Sequence, residues 1–205
     1  MESALLCFML TLGCASFANA QLIPLTDAEK QELLDFHNNY RKAEGATAMQ
    51  KLKWNADLQK LGETEAAKCV FGHTQGTSAP GFDSVGENLY MSCCSKPTPK
   101  AVVDKWMTEK PWYTLADNTC SPPPGPPPKA CSHYTQVVWA DSAAIGCGMA
   151  KCLRDGRTWY WVACEYGPSG NFLGEKPYVA GNPGSECATK YPGQVADADK
   201  LCVQA

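Results

Sequence analysis

Only three histidines occur in the 205 residues, so their positions carry information. His73 stands in Cys69-Val70-Phe71-Gly72-His73-Thr74, and His133 in Cys131-Ser132-His133-Tyr134-Thr135-Gln136. Glu87 follows Gly86 in what reads as a glycine-led turn, and Glu109 lies near the end of a predicted helix. Two imidazoles and two carboxylates are a donor set that a divalent cation accepts. The same groups can also move protons or hold a metal that activates water. The four span 60 positions with no HxxxH or CxxC spacing among them. Spacing alone therefore leaves two readings open: a cation site, or four polar residues that hydrogen-bond one another and water. A hydrolase would also need a nucleophile, and none stands out. Ser132 merely precedes His133, and no G-x-S-x-G elbow exists. No residue is assigned a catalytic role.

The elements that must position these side chains divide into helices first and strands later. Thr26-Asp27-Ala28-Glu29 is a capping box, and Leu33, Leu34, Phe36, His37 and Tyr40 recur at helical spacing, so a first helix is predicted to about Lys42. His37 on it reads as a packing residue. Asn55 is the N-cap of a second helix with Leu58, Leu61, Ala66 and Ala67 on its buried side, ending near Cys69. A third opens at Thr98 with Pro99 at its first position and ends before Pro111, which brings Glu109 to the edge of the face carrying Val102, Val103 and Trp106. Beyond it, Tyr134–Trp139, Ile145–Met149 and Thr158–Glu165 are rich in β-branched and aromatic residues and read as strands of one antiparallel sheet. Between lies Ser121–Pro128, a polyproline II segment flanked by Cys120 and Cys131, read as a stiff surface loop.

The two ends and the composition set the compartment. Ala4–Leu12 is apolar but too short to cross a bilayer, and Ala18-Asn19-Ala20 has the small-residue pattern of a cleavage site, so residues 1–20 read as a signal peptide. Glu2 makes the n-region unusual, since its positive charge is then only the α-amine. Cleavage would remove Cys7 and Cys14 and leave ten cysteines, an even number able to pair in an oxidising compartment. No later segment has the length of a spanning helix, so a secreted, extracellular protein is expected. A formal charge of −3, with no basic cluster, removes the electrostatic footprint of nucleic-acid binding.

Longer motifs then become recognisable. His133-Tyr134-Thr135-Gln136-Val137-Val138-Trp139 and Tyr160-Trp161-Val162-Ala163-Cys164-Glu165-Tyr166-Gly167-Pro168-Ser169-Gly170-Asn171-Phe172 resemble the two signatures of the CAP superfamily. That family unites cysteine-rich secretory proteins, insect venom antigen 5 and plant pathogenesis-related 1 proteins. Gly86-Glu87-Asn88-Leu89-Tyr90 and Gly174-Glu175-Lys176-Pro177-Tyr178 are similar to two further family blocks, and the resemblance runs from about Leu33 to Gly181.

The resemblance implies an α+β fold, a three-layer α-β-α sandwich with a small antiparallel sheet, over residues 21–181, followed by a short cysteine-containing tail at 182–205. It brings His73, Glu87, Glu109 and His133 into one open cleft, with zinc as the implied cation and no obligatory cofactor. By the same resemblance Cys69 pairs with Cys152, Cys120 with Cys131, and Cys147 with Cys164. Cys187 and Cys202 enclose a short polar tail where a local bridge is reasonable. Cys93 and Cys94 are left to form a vicinal disulfide or to exchange partners with the tail pair. The family context favours a non-enzymatic effector that binds a fatty acid or sterol. The prolines before the first signature stand where sterol binders carry a flexible aromatic loop. Two alternatives are a venom or host-interaction protein acting on an extracellular receptor or channel, and a metal- or His-dependent protease. The separate cysteine-dense module associated with channel block is absent after Tyr178. Ligand identity and oligomeric state do not follow from the sequence.

Overall fold

The computed structural model describes residues 20–70, 72–74, 77–125 and 129–205. The leader expected at 1–20 lies outside the described residues apart from Ala20, as do Pro126, Pro127 and Pro128 of the polyproline segment.

In chain order the elements are β1 (Gln21–Leu22), α1 (Asp27–Ala43), β2 (Lys53–Trp54), α2 (Ala56–Ala67), β3 (Gly86–Cys93) and α3 (Pro99–Met107). Then follow β4 (Tyr113–Thr114), β5 (Thr119–Cys120), α4 (Ser132–Val137), β6 (Ala144–Arg154), β7 (Arg157–Gly167), α5 (Cys187–Lys190), β8 (Gln194–Ala196) and β9 (Cys202–Gln204). Both halves of the capping box are made at the start of α1: Glu29 N–H donates to Thr26 Oγ1 at 3.2 Å, and Thr26 N–H donates to Glu29 Oε2 at 2.9 Å. Asn55 caps α2 by accepting from Asp57 and Leu58 N–H, and Thr98 caps α3 by accepting from Ala101 N–H.

The main sheet has the order β1-β6-β7-β3 and is antiparallel throughout, except that the two-residue β2 runs parallel along β6. Because side chains alternate along a strand, its two faces carry different cores. Ile145, Cys147, Met149, Val162, Cys164 and Tyr166 face α1, α3 and α4 with Leu33, Val102, Val103, Trp106 and Val137. Ala150, Cys152, Trp161, Ala163 and Leu89 face α2 through Ala66. These are the three layers of an α-β-α sandwich. Gly146 and Gly148 let α2 lie directly on β6: a Cβ at either would come within 2.1 Å of the backbone nitrogen of Gln59 or Glu63.

Two segments fold differently from their sequence reading. Tyr134–Trp139 is not a strand; Ser132–Val137 is a short helix. Its β-prone residues are overruled by partners at both ends. The carboxylate of Glu109 accepts from His133 and Tyr134 N–H at 2.9 and 3.2 Å, and Arg41 takes the C-terminal carbonyls of Val137 and Trp139 at 3.0 and 2.7 Å. Gly86-Glu87 is not a turn but the start of β3, an eight-residue strand paired with β7 from Gly86↔Tyr166 to Cys93↔Trp159.

The chain after residue 181 packs onto the domain. Cys202 N–H donates to Met49 O at 2.7 Å, Lys51 N–H donates to Cys202 O at 3.0 Å, and Leu201 is buried in the main core.

Arg41 is wholly buried, and among the described residues no carboxylate pairs with it. Its guanidinium instead donates to the carbonyls of Gln50, Val137, Trp139, Ala140 and Ser142 at 2.7 to 3.3 Å. Burial pulls its pKa down to about 10, still charged at neutral pH. Replacing Arg41 by Met strands these acceptors in the core and is expected to cost at least about 3 kcal/mol. Arg41→Lys should recover little, because an ammonium lacks the planar fork. Urea denaturation of both variants checks this, and a loss below about 1 kcal/mol in either would contradict it.

His37 is also fully buried, with Nδ1 2.6 Å from Leu33 O and Nε2 2.8 Å from Tyr166 OH. Burial first, then the nearby Arg41 charge, lowers its pKa to about 4. The folded state therefore keeps His37 neutral where the unfolded chain would protonate it. Its contribution is fully present above the unfolded value near 6.5 and is lost as pH falls towards 4, by up to about 3 kcal/mol. A His37→Gln variant should show a correspondingly flatter loss of stability between these two pH values when both proteins are melted across the range.

Candidate functional site

The edge strand β3 is where the four expected residues converge. Glu87, its second residue, points to the α2 side of the sheet and receives His73 from the connection that follows α2. His73 Nδ1 lies 2.7 Å from Glu87 Oε1. From the opposite layer, Glu109 follows α3 and His133 is the second residue of α4, with His133 Nδ1 2.7 Å from Glu109 Oε1. The two imidazole centroids are 6.3 Å apart. The site is thus two carboxylate–imidazole pairs, one from each helical layer, meeting across the sheet edge.

The His133 pair is held from behind. Trp106 lies parallel to the His133 ring, 8° between planes at 6.4 Å, and its indole N–H donates to Leu89 O on β3 at 2.9 Å. Asn88 Nδ2 donates to His133 O at 3.0 Å. Gln136 of α4 accepts from Gly170 N–H at 3.0 Å and donates to Ser142 Oγ at 3.1 Å, closing the floor. The cleft above has a volume of about 290 Å³, lined by His73, Gly86, Glu87, Ser132, Gln136 and Asn171.

Exposure sorts the four groups. The side chains of His73 and His133 are 48% and 24% exposed, against 6% and 12% for Glu87 and Glu109. In each pair the imidazole is the more exposed partner and the carboxylate the more shielded one; His73 and Glu87 line the cleft itself. In the neutral ring, Nδ1–H donates to the carboxylate and Nε2 keeps its lone pair, which is the arrangement of a metal-binding histidine oriented by an outer carboxylate. The hydrogen bond to Glu87 raises the pKa of His73, against burial, which lowers it. Among the described residues no three His, Cys, Asp or Glu side chains are disposed as a ready ligand set. With their oxygens committed to Nδ1, the glutamates serve as orienting groups, and the open donors are the two imidazoles. Ser132 lines the cleft, but the hydrogen bonds it receives from Thr135 and Asn171 are accepted by its carbonyl.

Glu165 belongs to this region, and sequence reasoning passed over it. It lies directly opposite Glu87 in the β3–β7 register and is fully buried, with both carboxylate oxygens unpartnered among the described residues. Burial, reinforced by Glu87 and Glu65, pushes its pKa well above the usual carboxylate range. The sequence signal was an acidic residue within an otherwise apolar strand, but its meaning depends on a register visible only once β3 is known to be a strand. Glu65 itself is held by Lys68 Nζ and Thr74 Oγ1, each at 2.6 Å.

Among the described residues five disulfides are present: Cys69–Cys152, Cys93–Cys94, Cys120–Cys131, Cys147–Cys164 and Cys187–Cys202. Cys69–Cys152 ties the end of α2, and so the segment leading to His73, to β6. Cys120–Cys131 fixes the residue before α4.

A disulfide-bonded α-β-α sandwich with an open His/Glu cleft at its sheet edge defines a class of small cysteine-rich domain. The chain belongs to the cysteine-rich secretory protein (CAP) family, whose model matches residues 34–166. It is 35% identical over 179 residues to scoloptoxin SSD552 of Scolopendra dehaani, covering 80% of this chain and 82% of the relative. It is 34% identical over 173 residues to mouse peptidase inhibitor 16, covering 82% of this chain, and spans about a third of that relative's length. Among solved structures, the hookworm platelet inhibitor aligns with a TM-score of 0.70 at 22% identity, covering 90% of this chain and 94% of the other. NaASP2 solved with Zn2+ aligns with a TM-score of 0.65 at 23% identity, covering 87% and 97%. Both likenesses are of fold.

Glu109 does two jobs, orienting His133 and accepting from the first N–H groups of α4, so its substitutions should separate them. Glu109→Ala is expected to lose about 2 to 3 kcal/mol. Glu109→Gln keeps an acceptor for the helix but turns an amide donor towards Nδ1, which should move the proton of neutral His133 to Nε2. Chemical denaturation and 15N shifts of the imidazole check the two effects. An unchanged tautomer in Glu109→Gln would refute the orienting role.

Proposed function

We propose that this is a secreted, non-catalytic CAP-domain effector whose cleft holds a divalent cation between His73 and His133. The observation that carries the reading is the pair of outward-facing imidazoles, each backed by a shielded carboxylate at 2.7 Å. Two nitrogen donors of this kind suit zinc, with water completing the coordination and the glutamates as outer partners. NaASP2, of the same fold, was solved with Zn2+. When bound, the cation would supply a fixed positive centre at the sheet edge. Trp106 and Asn88 hold His133, and Gln136 holds the floor of the cleft. A protease reading lacks support in the cleft, where among the described residues no serine or cysteine is hydrogen-bonded to either imidazole.

A small apolar ligand is the second part of the proposal. Beside the cleft runs a trough of about 360 Å³ lined by Tyr113, Trp139, Phe172, Leu173 and Pro177, and it shares Ser132 and Asn171 with the cleft. Leu173 is fully exposed, and Phe172 is half-exposed and meets Trp139 edge-on at 6.1 Å. An apolar wall with a few polar groups at one end suits an amphiphile with a carboxyl or hydroxyl head, such as a fatty acid. The same exposed pair supports the alternative of an extracellular receptor contact, in a chain 35% identical to a protein named as a scoloptoxin.

Titration calorimetry should find one zinc per chain, and zinc at a hundredfold excess over its Kd should raise stability by about 2.7 kcal/mol. Both effects should vanish in a His73→Ala/His133→Ala variant. If that variant still binds zinc, the imidazoles are not the site. Palmitate should bind saturably to the native protein and weaken at least tenfold in Phe172→Asp/Leu173→Asp. No saturable binding of palmitate or cholesterol sinks the lipid part.

A further inference from the structure

Four of the five disulfides have an evident structural task, and Cys93–Cys94 does not. The others span 83, 11, 17 and 15 residues and join different elements or close loops. Each includes at least one fully buried cysteine: Cys152, Cys131, Cys147 with Cys164, and Cys187 with Cys202. Cys93–Cys94 joins adjacent residues and closes no loop, so it removes almost no freedom from the unfolded chain. Neither of its cysteines is buried, and Cys94 is exposed. Opening this bond alone leaves every other link between elements intact.

Its setting adds to the asymmetry. Cys93 is the last residue of the edge strand β3, in register with Trp159. Cys94 follows in a left-handed conformation at φ 78°, unusual for a residue with a Cβ, and is tied down by its N–H donating to Thr158 O at 2.8 Å. The bond is thus exposed, at a strained backbone position, on the free edge of the sheet. Such a disulfide is labile rather than structural.

We propose that Cys93–Cys94 is a thiol-exchange site that opens in the folded protein, with Cys94 Sγ as the sulfur attacked by a small extracellular thiol of the glutathione class. The incoming thiolate forms a mixed disulfide with Cys94 and releases Cys93 Sγ as a thiolate. A second thiol then attacks the mixed disulfide, leaving both cysteines reduced and the small thiol oxidised to its own disulfide. The two electrons gained by the protein are those lost by the two thiols.

The test uses the native protein with its five disulfides, incubated with graded reduced glutathione, acid-quenched, alkylated and mapped by peptide mass spectrometry. Cys93 and Cys94 should become labelled at a glutathione concentration at least tenfold below that needed for any of the other eight cysteines, with the melting temperature moving by less than about 2 °C. Fragmentation of the intermediate should place glutathione on Cys94. A Cys93→Ser/Cys94→Ser variant should melt alongside the native protein and lack the readily labelled pair. Reduction of Cys93 and Cys94 together with or after the others would overturn the proposal, as would cysteines found bridged to other partners or glutathione found on Cys93.

Discussion

The buried guanidinium of Arg41 is the constraint on which the rest of the site depends. An isolated charge in an apolar core is costly, and here the cost is offset by carbonyl dipoles rather than by a counter-ion. Those carbonyls belong to Gln50, 9 residues on from Arg41, and to the end of α4 and the turn that follows it, 96 to 101 residues on, so one side chain of α1 ties a neighbouring loop to a segment distant in sequence. A six-residue helix cannot hold itself together in water. α4 persists because Arg41 donates to its last carbonyls while Glu109 accepts from its first N–H groups. With both ends pinned, His133 has one place to be.

The cleft's electrostatics follow from its place at a sheet edge. β3 has β7 on one side only, so a side chain near its start can face a layer of helices and still reach open space. Glu87 uses this position, its carboxylate shielded from solvent and its oxygen turned to His73. Glu165, one strand inward, has no such outlet. Two carboxylates opposite one another in a buried register cannot both be ionised cheaply, and a proton on Glu165 is the least costly resolution. Glu87 and Glu109 each turn an oxygen to an imidazole, and Glu165 stands as a neutral acid behind Glu87.

Legibility in the sequence tracked how local the determining interactions are. α1 and α2 could be read because their caps, Thr26 with Glu29 and Asn55, lie within three residues of the N–H groups they serve. The β6 and β7 strands announced themselves through apolar and β-branched runs, though they extend beyond those runs. α4 was misread because Tyr134, Thr135, Val137 and Val138 carry strand propensity, and what overrides it sits at Arg41 and Glu109, far away in the chain. β3 was misread because Gly86-Glu87-Asn88 has turn composition. Gly86 is needed there because a Cβ would lie 2.2 Å from Gln136 Oε1, a contact between two layers. The four cleft residues were legible as residue types and through family motifs. Their division into facing imidazoles and shielded carboxylates was not, since it depends on burial.

That division changes what the cleft can do. A tetrad of four equal ligands would have to assemble around a cation, drawing carboxylates out of their hydrogen bonds. Two imidazoles already oriented by Glu87 and Glu109, with His133 also backed by Trp106 and Asn88, would need little rearrangement, so a cation at the proposed site would meet donors whose ordering entropy has been spent during folding. The disulfides work in the same direction. Cys69–Cys152 shortens the free path to His73, and Cys120–Cys131 closes the chain just before His133, so each imidazole is anchored near its own covalent staple. The rigidity lies behind the site and the solvent in front of it. That asymmetry suits the reversible binding proposed for this open edge.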